Sequence, residues 1–270
     1  MVQYIDTPKL LLPNQANECV LTSTHGGTTS YLVDGYTDLS TWQSTGAADD
    51  DTAVSLTFDR GAFSLSVNFI AILNHNFKDL LIEYYDYDEQ WHTFLTYDNV
   101  ALLNDRPDLI IDFADLLGYP DYSELGGTKL RFTVSKTQIP DTDKYCSEIF
   151  FSRRIMSLDK LQSFSVKPRQ RIKQLSFADN SMQQVVQLFG PWNNKSQKYE
   201  SSVQFTQLTQ AQLDTLKYWK EVAYPMTWWP EPNANPRNFY AVHWTNPLAY
   251  KYTTQYKGNG YDVTMELKEI

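Results

Sequence analysis

Residues 54–84 read VSLTFDRGAFSLSVNFIAILNHNFKDLLIEY, a stretch in which apolar and polar residues alternate. The alternation is clearest over residues 54–58, 63–69 and 80–84. A strand that buries one face places every second side chain in the core, so this stretch predicts three successive half-buried strands. The sequence Asp59-Arg60-Gly61 supplies the residues of a tight turn between the first two strands.

The same alternation continues along the chain, at residues 109–113, 130–134, 199–205, 250–256 and 261–267. Turn residues separate these runs, whereas an α/β protein would have helices between its strands. The last two runs are joined by Lys257-Gly258-Asn259-Gly260, which predicts a hairpin. The fold class is therefore predicted to be all-β, with sandwich or barrel architecture.

A single helix is predicted near residues 209–222, where Thr209 can act as the N-cap. Its apolar residues are spaced to form a stripe along one side: Leu213, Leu216, Trp219 and Val222. A charge cluster interrupts the strand pattern near residues 155–160. Because domains usually hold roughly 100–150 residues, we predict two domains, 1–156 and 157–270, with the helix in the second.

The balance of charge limits the classes of partner. The 270 residues include 32 acidic and 23 basic ones, for a net charge of −9. Phosphate neutralisation needs a basic face, so nucleic-acid binding is not expected. Cys19 and Cys146 show no metal-binding or disulfide-rich spacing, and we expect two free thiols. No signal peptide or membrane-inserted segment is predicted, because no sufficiently long apolar run occurs.

Sequence motifs for catalysis are missing. The chain has no Walker A, HExxH, GxSxG or GxGxxG sequence, and its four histidines are widely spaced. With 32 acidic residues, the sequence cannot single out the carboxylate pair that a glycosidase needs. The run Asp49-Asp50-Asp51 suits either a hard cation such as Ca²⁺ or a solvated loop, and its role stays open. We predict no catalytic residues, no cofactor and no metal site.

Residues 31–42 contain Asp34-Gly35 followed by Thr41-Trp42, and strand patterns follow at 54–59, 67–74, 80–84 and 146–151. This order resembles discoidin-type modules, the galactose-binding-like jelly rolls of the coagulation factor 5/8 C-type family. The resemblance covers roughly residues 20–155 and implies an N-terminal jelly-roll β-sandwich. Such modules bind ligands and do not catalyse reactions.

The resemblance also implies candidate ligand loops at one end of the sandwich. Members of the fold often bind glycans or lipids there, which makes these residues candidates: Asp34, Trp42, Asn74, His75 and Asn76. Asn and His offer donors and acceptors to sugar hydroxyls, and Trp offers an apolar face. A structural interpretation explains the same residues, with Asp34-Gly35 forming a turn and Trp42 plugging the end of the sandwich.

The second half resembles the terminal domain of phage minor-tail, distal-tail and baseplate-hub proteins. The matching elements are a helix at residues 213–219, an aromatic strand at 239–244 and a closing strand at 261–269. Adjacent residues of a strand face opposite sides, so we expect one of Trp228 and Trp229 to lie in the core and the other to be exposed as an interface anchor or an edge seal.

A basic row stands out in this acidic chain: Lys167, Arg169, Arg171 and Lys173 fall on every second position. On a strand they would project from one face. Pro168 favours an edge strand, where basic residues guard against aggregation. A subunit or neighbouring-protein interface is the alternative, because an acidic partner would relieve the repulsion within the row.

These features predict a non-enzymatic virion structural protein of a phage tail tip or baseplate. It would be made in the bacterial host cytoplasm, form homo-oligomers, assemble with other tail proteins and contact a host-surface glycan. The alternatives are a carbohydrate-binding module for host attachment and a tail-associated glycan hydrolase.

Overall fold

The computed structural model describes residues 9–34, 40–97, 107–113, 125–157, 161–170, 172–176, 182–186, 197–223, 225–230, 239–255 and 258–269. Within these ranges the chain forms two compact units. The first runs from Leu12 to Arg154. The second contains Lys9–Leu11 and the described residues from Ile155 onward.

Strands dominate both units, as the sequence predicts. Up to residue 157 they are β1 (Lys9–Leu11), β2 (Val20–Ser23), β3 (Trp42–Gln43), β4 (Val54–Asp59), β5 (Leu65–Val67), β6 (Phe69–Leu73), β7 (Leu80–Tyr85), β8 (Trp91–Tyr97), β9 (Asp108–Asp112), β10 (Leu125–Gly127), β11 (Lys129–Val134), β12 (Tyr145–Cys146), β13 (Glu148–Ser152) and β14 (Arg154–Ser157). Short 3₁₀ turns occupy Gln15–Glu18 and Thr29–Val33.

The later elements are β15 (Leu161–Gln170), β16 (Ile172–Ser176), β17 (Met182–Val186), β18 (Gln197–Leu208), α1 (Gln210–Val222), β19 (Met226–Trp229), β20 (Tyr240–Trp244), β21 (Tyr250–Gln255) and β22 (Gly258–Glu269). The all-β, two-domain class with one described helix is therefore confirmed. Within the described residues no helix is long and apolar enough to cross a membrane.

The first unit is a β-sandwich. Its five-stranded sheet has the order β2-β4-β11-β7-β8, and its three-stranded sheet has the order β13-β6-β9. Aromatic rings join the two sheets: the Phe151 ring lies 5.2 Å from that of Phe58, edge to face, and 6.5 Å from that of Phe132. These rings belong to one buried cluster that includes side chains from both sheets, so burial of apolar area is the main source of this unit's stability.

Two details of the predicted strands need correction. The run 63–69 is not one strand. Phe63 is exposed and lies outside the strands, and the rest of the run divides between β5 and the start of β6. The Asp59–Gly61 turn exists, with the Gly61 amide donating to the Asp59 carboxylate at 2.8 Å, but it does not form a hairpin. β4 pairs with β2 and β11, while β5 pairs with β10.

The second unit is built on one long antiparallel sheet, ordered β14-β1-β19-β20-β22-β18-β15, with β21 also paired to β22. The predicted hairpin is present, with Gln255 opposite Gly258, but Gly258, Asn259 and Gly260 lie in β22 and not in the connecting turn as predicted. The predicted helix is confirmed as α1: the Gln212 amide donates to Thr209 Oγ1, and the Thr209 amide donates to Gln212 Oε1. This reciprocal capping box satisfies donors that the helix end would otherwise leave unpaired.

The two tryptophans of β19 differ from the expectation of one exposed indole. Trp228 and Trp229 are both 0% exposed, and all four residues of β19 are buried. Both faces of this strand are covered, so alternation does not bring either ring to the surface. Neither indole is available in this structure as an exposed interface anchor.

The predicted domain boundary differs from the compact units at the N-terminus. The first unit ends at Arg154, but Lys9–Leu11 belong to the second unit, where β1 pairs with β19.

The predicted row of basic residues spans two strands. Lys167 and Arg169 lie on β15, at the end of the sheet order, and Lys173 lies on β16, whereas Arg171 lies outside the described residues. Among the described strands, β15 is last in the order of this sheet, a position in which a proline such as Pro168 is tolerated.

Candidate functional site

Loops from many parts of the sequence meet at one end of the first unit. In the three-stranded sheet, Leu73 lies opposite both Asp108 of β9 and Glu148 of β13. The end of β6 and the beginnings of β9 and β13 therefore coincide. The candidate residues Asn74, His75 and Asn76 directly follow β6, so the sheet register places them in this loop end.

Asn76 is buried and holds the segment before β12 in place. Its side-chain oxygen accepts from the Tyr145 amide at 2.9 Å, and its side-chain nitrogen donates to the Asp143 carbonyl at 2.8 Å. These bonds cross 67 and 69 positions of sequence. Buried backbone groups need such partners, so Asn76 serves as a positioning residue, and in this structure it is not exposed to a ligand.

Asn74 links a second set of polar groups. Its Nδ2 donates to Ser147 Oγ at 2.7 Å, and Ser147 Oγ lies 3.0 Å from Thr41 Oγ1. The Asn74 amide donates to Asp108 Oδ1 at 2.8 Å, and its φ of 51° is one that Asn tolerates better than most residues. Asn74 is half-buried and Thr41 is exposed, so this row of polar atoms reaches the surface.

The exposed part of the loop end lies on the short β3–β12 pair. Tyr145 is directly opposite Gln43, and it is 36% exposed. The exposed Gln43 donates from Nε2 to Asp143 Oδ2 at 3.1 Å. An aromatic ring, an amide and a carboxylate therefore share one surface. We call Thr41, Gln43, Asp143 and Tyr145 the loop-end surface.

Trp42 lies behind this surface. It is 1% exposed, and its indole N–H donates to the Gly26 carbonyl at 3.0 Å. Gly27 has a φ of +81°, and a Cβ there would lie 2.3 Å from Trp42 Nε1. Only glycine fits this close approach. Trp42 is thus a core residue in this structure, while Asp34 is half-buried and accepts from Ser40 Oγ at 2.6 Å.

His75 is buried, and its ring centre lies 5.1 Å from that of Phe77. Its Nδ1 accepts from the Phe77 amide at 3.0 Å, which leaves the proton of a neutral ring on Nε2. Within the described part of the chain, Nε2 has no hydrogen-bond partner. Burial lowers the pKa of His75 from 6.5 to about 4, because the charged ring would lose its hydration. His75 is a neutral core group near neutral pH.

The Asp49–Asp51 loop is organised by a lysine. Lys144 is 0% exposed, and its ammonium donates to the carbonyls of Ala47 and Asp49 at 2.6 and 2.5 Å. The Asp49 carboxylate accepts from the Thr52 amide and hydroxyl at 2.6 and 2.8 Å, and these bonds lower the pKa of Asp49. These oxygens therefore have protein donors, and no cluster of three His, Cys, Asp or Glu side chains suited to a metal occurs in the described ranges.

Both cysteines are free thiols, as predicted. Burial raises the pKa of the Cys19 thiol to about 12 and raises that of the fully buried Cys146 further. A thiol so far from ionisation is a poor nucleophile.

Sequence reasoning singled out no side chain of the loop-end surface, although Thr41 lies within the candidate Asp34–Trp42 loop. Tyr145 and Gln43 are 102 positions apart in the printed sequence and meet only through the β3–β12 pairing. One signal was available: Tyr145 directly precedes the strand predicted over residues 146–151, which begins with Cys146, a residue type that is usually buried. If Cys146 faces the core, alternation turns Tyr145 to the opposite side.

Comparisons with known proteins find no matching family model and no matching curated protein. Solved structures with partial likeness include a family 32 carbohydrate-binding module of Clostridium perfringens NanJ in complex with galactose, at 14% identity and TM-score 0.39 over 54% of this chain and 99% of that one. Another is chitosan-binding module 1 from a chitosanase/glucanase of Paenibacillus sp. IK-5, at 16% identity and TM-score 0.39 over 51% and 97%.

A third is a module from a family 31 glycoside hydrolase of Clostridium perfringens, at 19% identity and TM-score 0.40 over 53% of this chain and 95% of that one. The ligands named for those modules are properties of those proteins.

Proposed function

We propose that the first unit is a non-enzymatic glycan-binding module whose ligand lies on the loop-end surface. The observation that carries this proposal is the exposed Tyr145 ring beside the Gln43–Asp143 pair. A sugar ring has apolar C–H faces and a rim of hydroxyl groups, so it suits an aromatic face flanked by donors and acceptors. The Thr41 and Asn74 side chains extend the same polar surface toward Ser147.

The support lies in how the surface is held. Asn76 fixes the backbone at both Asp143 and Tyr145, and β3 pairs with β12, so a ligand would meet groups that are already ordered. Preorganisation reduces the entropy that binding costs. The surface is shallow, so weak affinity per site is expected, with strength gained from several copies.

A glycan array probed with the full chain, followed by titration of the best-bound glycan, tests the proposal. Tyr145→Ala should weaken binding at least about tenfold, as expected for loss of an aromatic anchor, without lowering the unfolding midpoint. Tyr87→Ala is the matched control. Tyr87 is 66% exposed in the same unit, but it follows the C-terminal end of β7, whereas the Asn74–Asn76 loop precedes the N-terminal end of that strand. Failure of the full chain to bind any glycan, or equal losses in the two variants, would contradict the proposal.

We further propose that the whole chain is a virion structural protein of a phage tail tip. Support comes from the resemblance of the second half to tail-hub domains, whose helix, aromatic strand and closing hairpin correspond to α1, β20 and β21–β22. In this proposal the protein assembles with other tail proteins as a homo-oligomer and the first unit meets a host-surface glycan.

Charge reversal on the basic row tests the assembly part. The double variant Arg169→Glu, Arg171→Glu should lose oligomers or tail incorporation at low salt if this edge is an interface. The double variant Lys136→Glu, Lys251→Glu changes the net charge equally at positions on another loop and another strand, and it should assemble normally. Normal assembly of the folded Arg169, Arg171 variant at low and high salt contradicts the interface. Turnover of a polysaccharide by the full chain would contradict the non-enzymatic role.

A further inference from the structure

The second unit contains a small pocket at the C-terminal end of helix α1. Its lining residues are Trp219, Lys220, Ala223, Met226, His243 and Trp244. The cavity volume is about 240 Å³, below the range of roughly 300–1,000 Å³ that is typical for drug-sized ligands. The pocket therefore suits one residue-sized group.

Lys220 gives the pocket its charge. Its ammonium donates to the Trp244 carbonyl at 2.9 Å and lies 5.1 Å from the centre of the Trp244 ring. Within the described residues it has no carboxylate partner. Partial burial beside the indole lowers the pKa of Lys220, because the ammonium is desolvated without a compensating negative charge.

Lys217, one turn earlier on the same helix, provides a contrast. Its ammonium donates to Asp214 Oδ1 at 3.1 Å, and this bond raises the pKa of Lys217. Lys217 also lies over the Tyr250 ring, at 5.1 Å from its centre. Both lysines therefore contact an aromatic ring, but among the described residues only Lys217 has an acidic partner. The position of Lys220 in the last turn is favourable for its charge, yet the helix end supplies no full negative charge.

We propose that this pocket binds a carboxylate carried on a residue-sized stem, with Lys220 as the ion-pair partner. A carboxylate would accept the remaining N–H groups of the ammonium in charge-assisted hydrogen bonds. Trp219 and Trp244 would cover the apolar stem, and the exposed His243 at the pocket rim supplies a further polar contact. The same chemistry is available from an acidic side chain of a protein and from the carboxylate of a uronic acid.

Nuclear magnetic resonance titration of the ¹⁵N-labelled full chain tests this site. The indole N–H of Trp244, which donates to Asn246 Oδ1 at 2.6 Å, reports on the pocket. The probes are glucuronate against glucose, and N-acetyl-glutamate amide against N-acetyl-glutamine amide. Each pair differs in the carboxylate, and the two pairs separate a sugar source from a protein source. Dissociation constants on the order of 1 mM are expected for a single desolvated ion pair.

Lys220→Met should weaken binding of the acidic probe at least about tenfold, the loss expected for a charge-assisted bond. Lys217→Met removes the same charge one turn away and should leave binding within about twofold. Neutral probes should not shift the Trp244 signal. The proposal is overturned if neither acidic probe shifts that signal, if the neutral partners bind equally well, or if both lysine variants lose binding to the same extent. Glycan binding at the loop-end surface is measured separately and does not depend on this result.

Discussion

Lys144 and Lys220 both lack an ion pair in the described residues, but their surroundings differ. Lys144 lies at the loop end of the first unit, and Lys220 lines the pocket at the C-terminal end of α1 in the second unit. Lys144 is fully enclosed and donates to two backbone carbonyls of one loop. Lys220 is half-buried, donates to one carbonyl and faces a cavity. A desolvated ammonium is therefore not by itself a sign of ligand binding. What separates the two is whether the protein's own oxygens already surround the charge.

The largest expected effect comes from removing the enclosed ammonium. Lys144→Met leaves the carbonyl of the buried Ala47 and the part-buried carbonyl of Asp49 without their donor, and a buried group left unpaired costs about 1–3 kcal/mol. The variant also avoids the cost of burying the Lys144 ammonium, which offsets part of this loss of stability. We expect the free energy of unfolding to fall by about 2–4 kcal/mol, measured by urea denaturation of the full chain.

Lys136→Met is the control for Lys144→Met. The Lys136 side chain is 41% exposed and its ammonium lies 3.5 Å from the Asp79 carboxylate, and loss of such a solvent-accessible pair costs about 1 kcal/mol. An unfolding curve for Lys144→Met that matches that of Lys136→Met would show that the carbonyls find other donors, and the proposed difference between the two lysines would then disappear.

Sequence alternation predicted the strands that bury one face. β4, β7 and β11 show it directly, with buried residues at every second position over most of each strand. β6 and β13 are buried at every position, so their sequences FIAIL and EIFFS carry no period-2 signal. Family resemblance located them where alternation did not, because it rests on the order of strands along the chain.

The candidate site was less predictable for a physical reason. Asn74, His75 and Asn76 are in the predicted loop, but His75 and Asn76 turn inward to satisfy backbone groups. The groups that reach solvent come from segments far apart in sequence: Gln43 and Tyr145 are 102 positions apart and meet only through the β3–β12 pairing. Short motifs cannot encode such a meeting. Lys144 was equally hidden, because a single lysine in a polar loop gives no sign of burial.

An intermediate effect is expected from pH, through the buried imidazole of the loop end. The pKa of His75 is about 4 in the folded protein, against 6.5 as its ordinary value. The unfolded chain therefore binds the proton more tightly, so the stability contributed by neutral His75 is fully present above pH 6.5 and is lost as pH falls toward 4. The full difference corresponds to about 3 kcal/mol.

His75→Asn isolates this contribution, because an Asn side-chain oxygen can still accept from the Phe77 amide. Urea unfolding at a series of pH values from 7 to 4 should show the wild type losing up to about 3 kcal/mol more than the variant. Equal losses for both would mean that the ring is protonated or hydrated in the folded state, and His75 would then no longer belong with Lys144 among the enclosed groups.

The smallest expected change in stability is that of Lys220→Met, and it sharpens the comparison most. The variant loses one hydrogen bond to Trp244 and a favourable charge near the end of α1, worth about 0.3–1 kcal/mol for the helix charge. It gains from no longer desolvating an ammonium and from apolar contact between Met and the indole. The two sides nearly cancel, so we expect a net change within about 1 kcal/mol in either direction.

Urea unfolding of Lys220→Met and Lys217→Met should give similar midpoints, although only the first loses carboxylate binding. Lys144→Met should show the reverse, a large loss of stability with carboxylate binding by the second unit retained under folding conditions. A loss of several kcal/mol in Lys220→Met would show that the Lys220 ammonium is a structural group like that of Lys144. Its interactions would then be satisfied within the protein, and it would not serve as an ion-pair partner for a ligand.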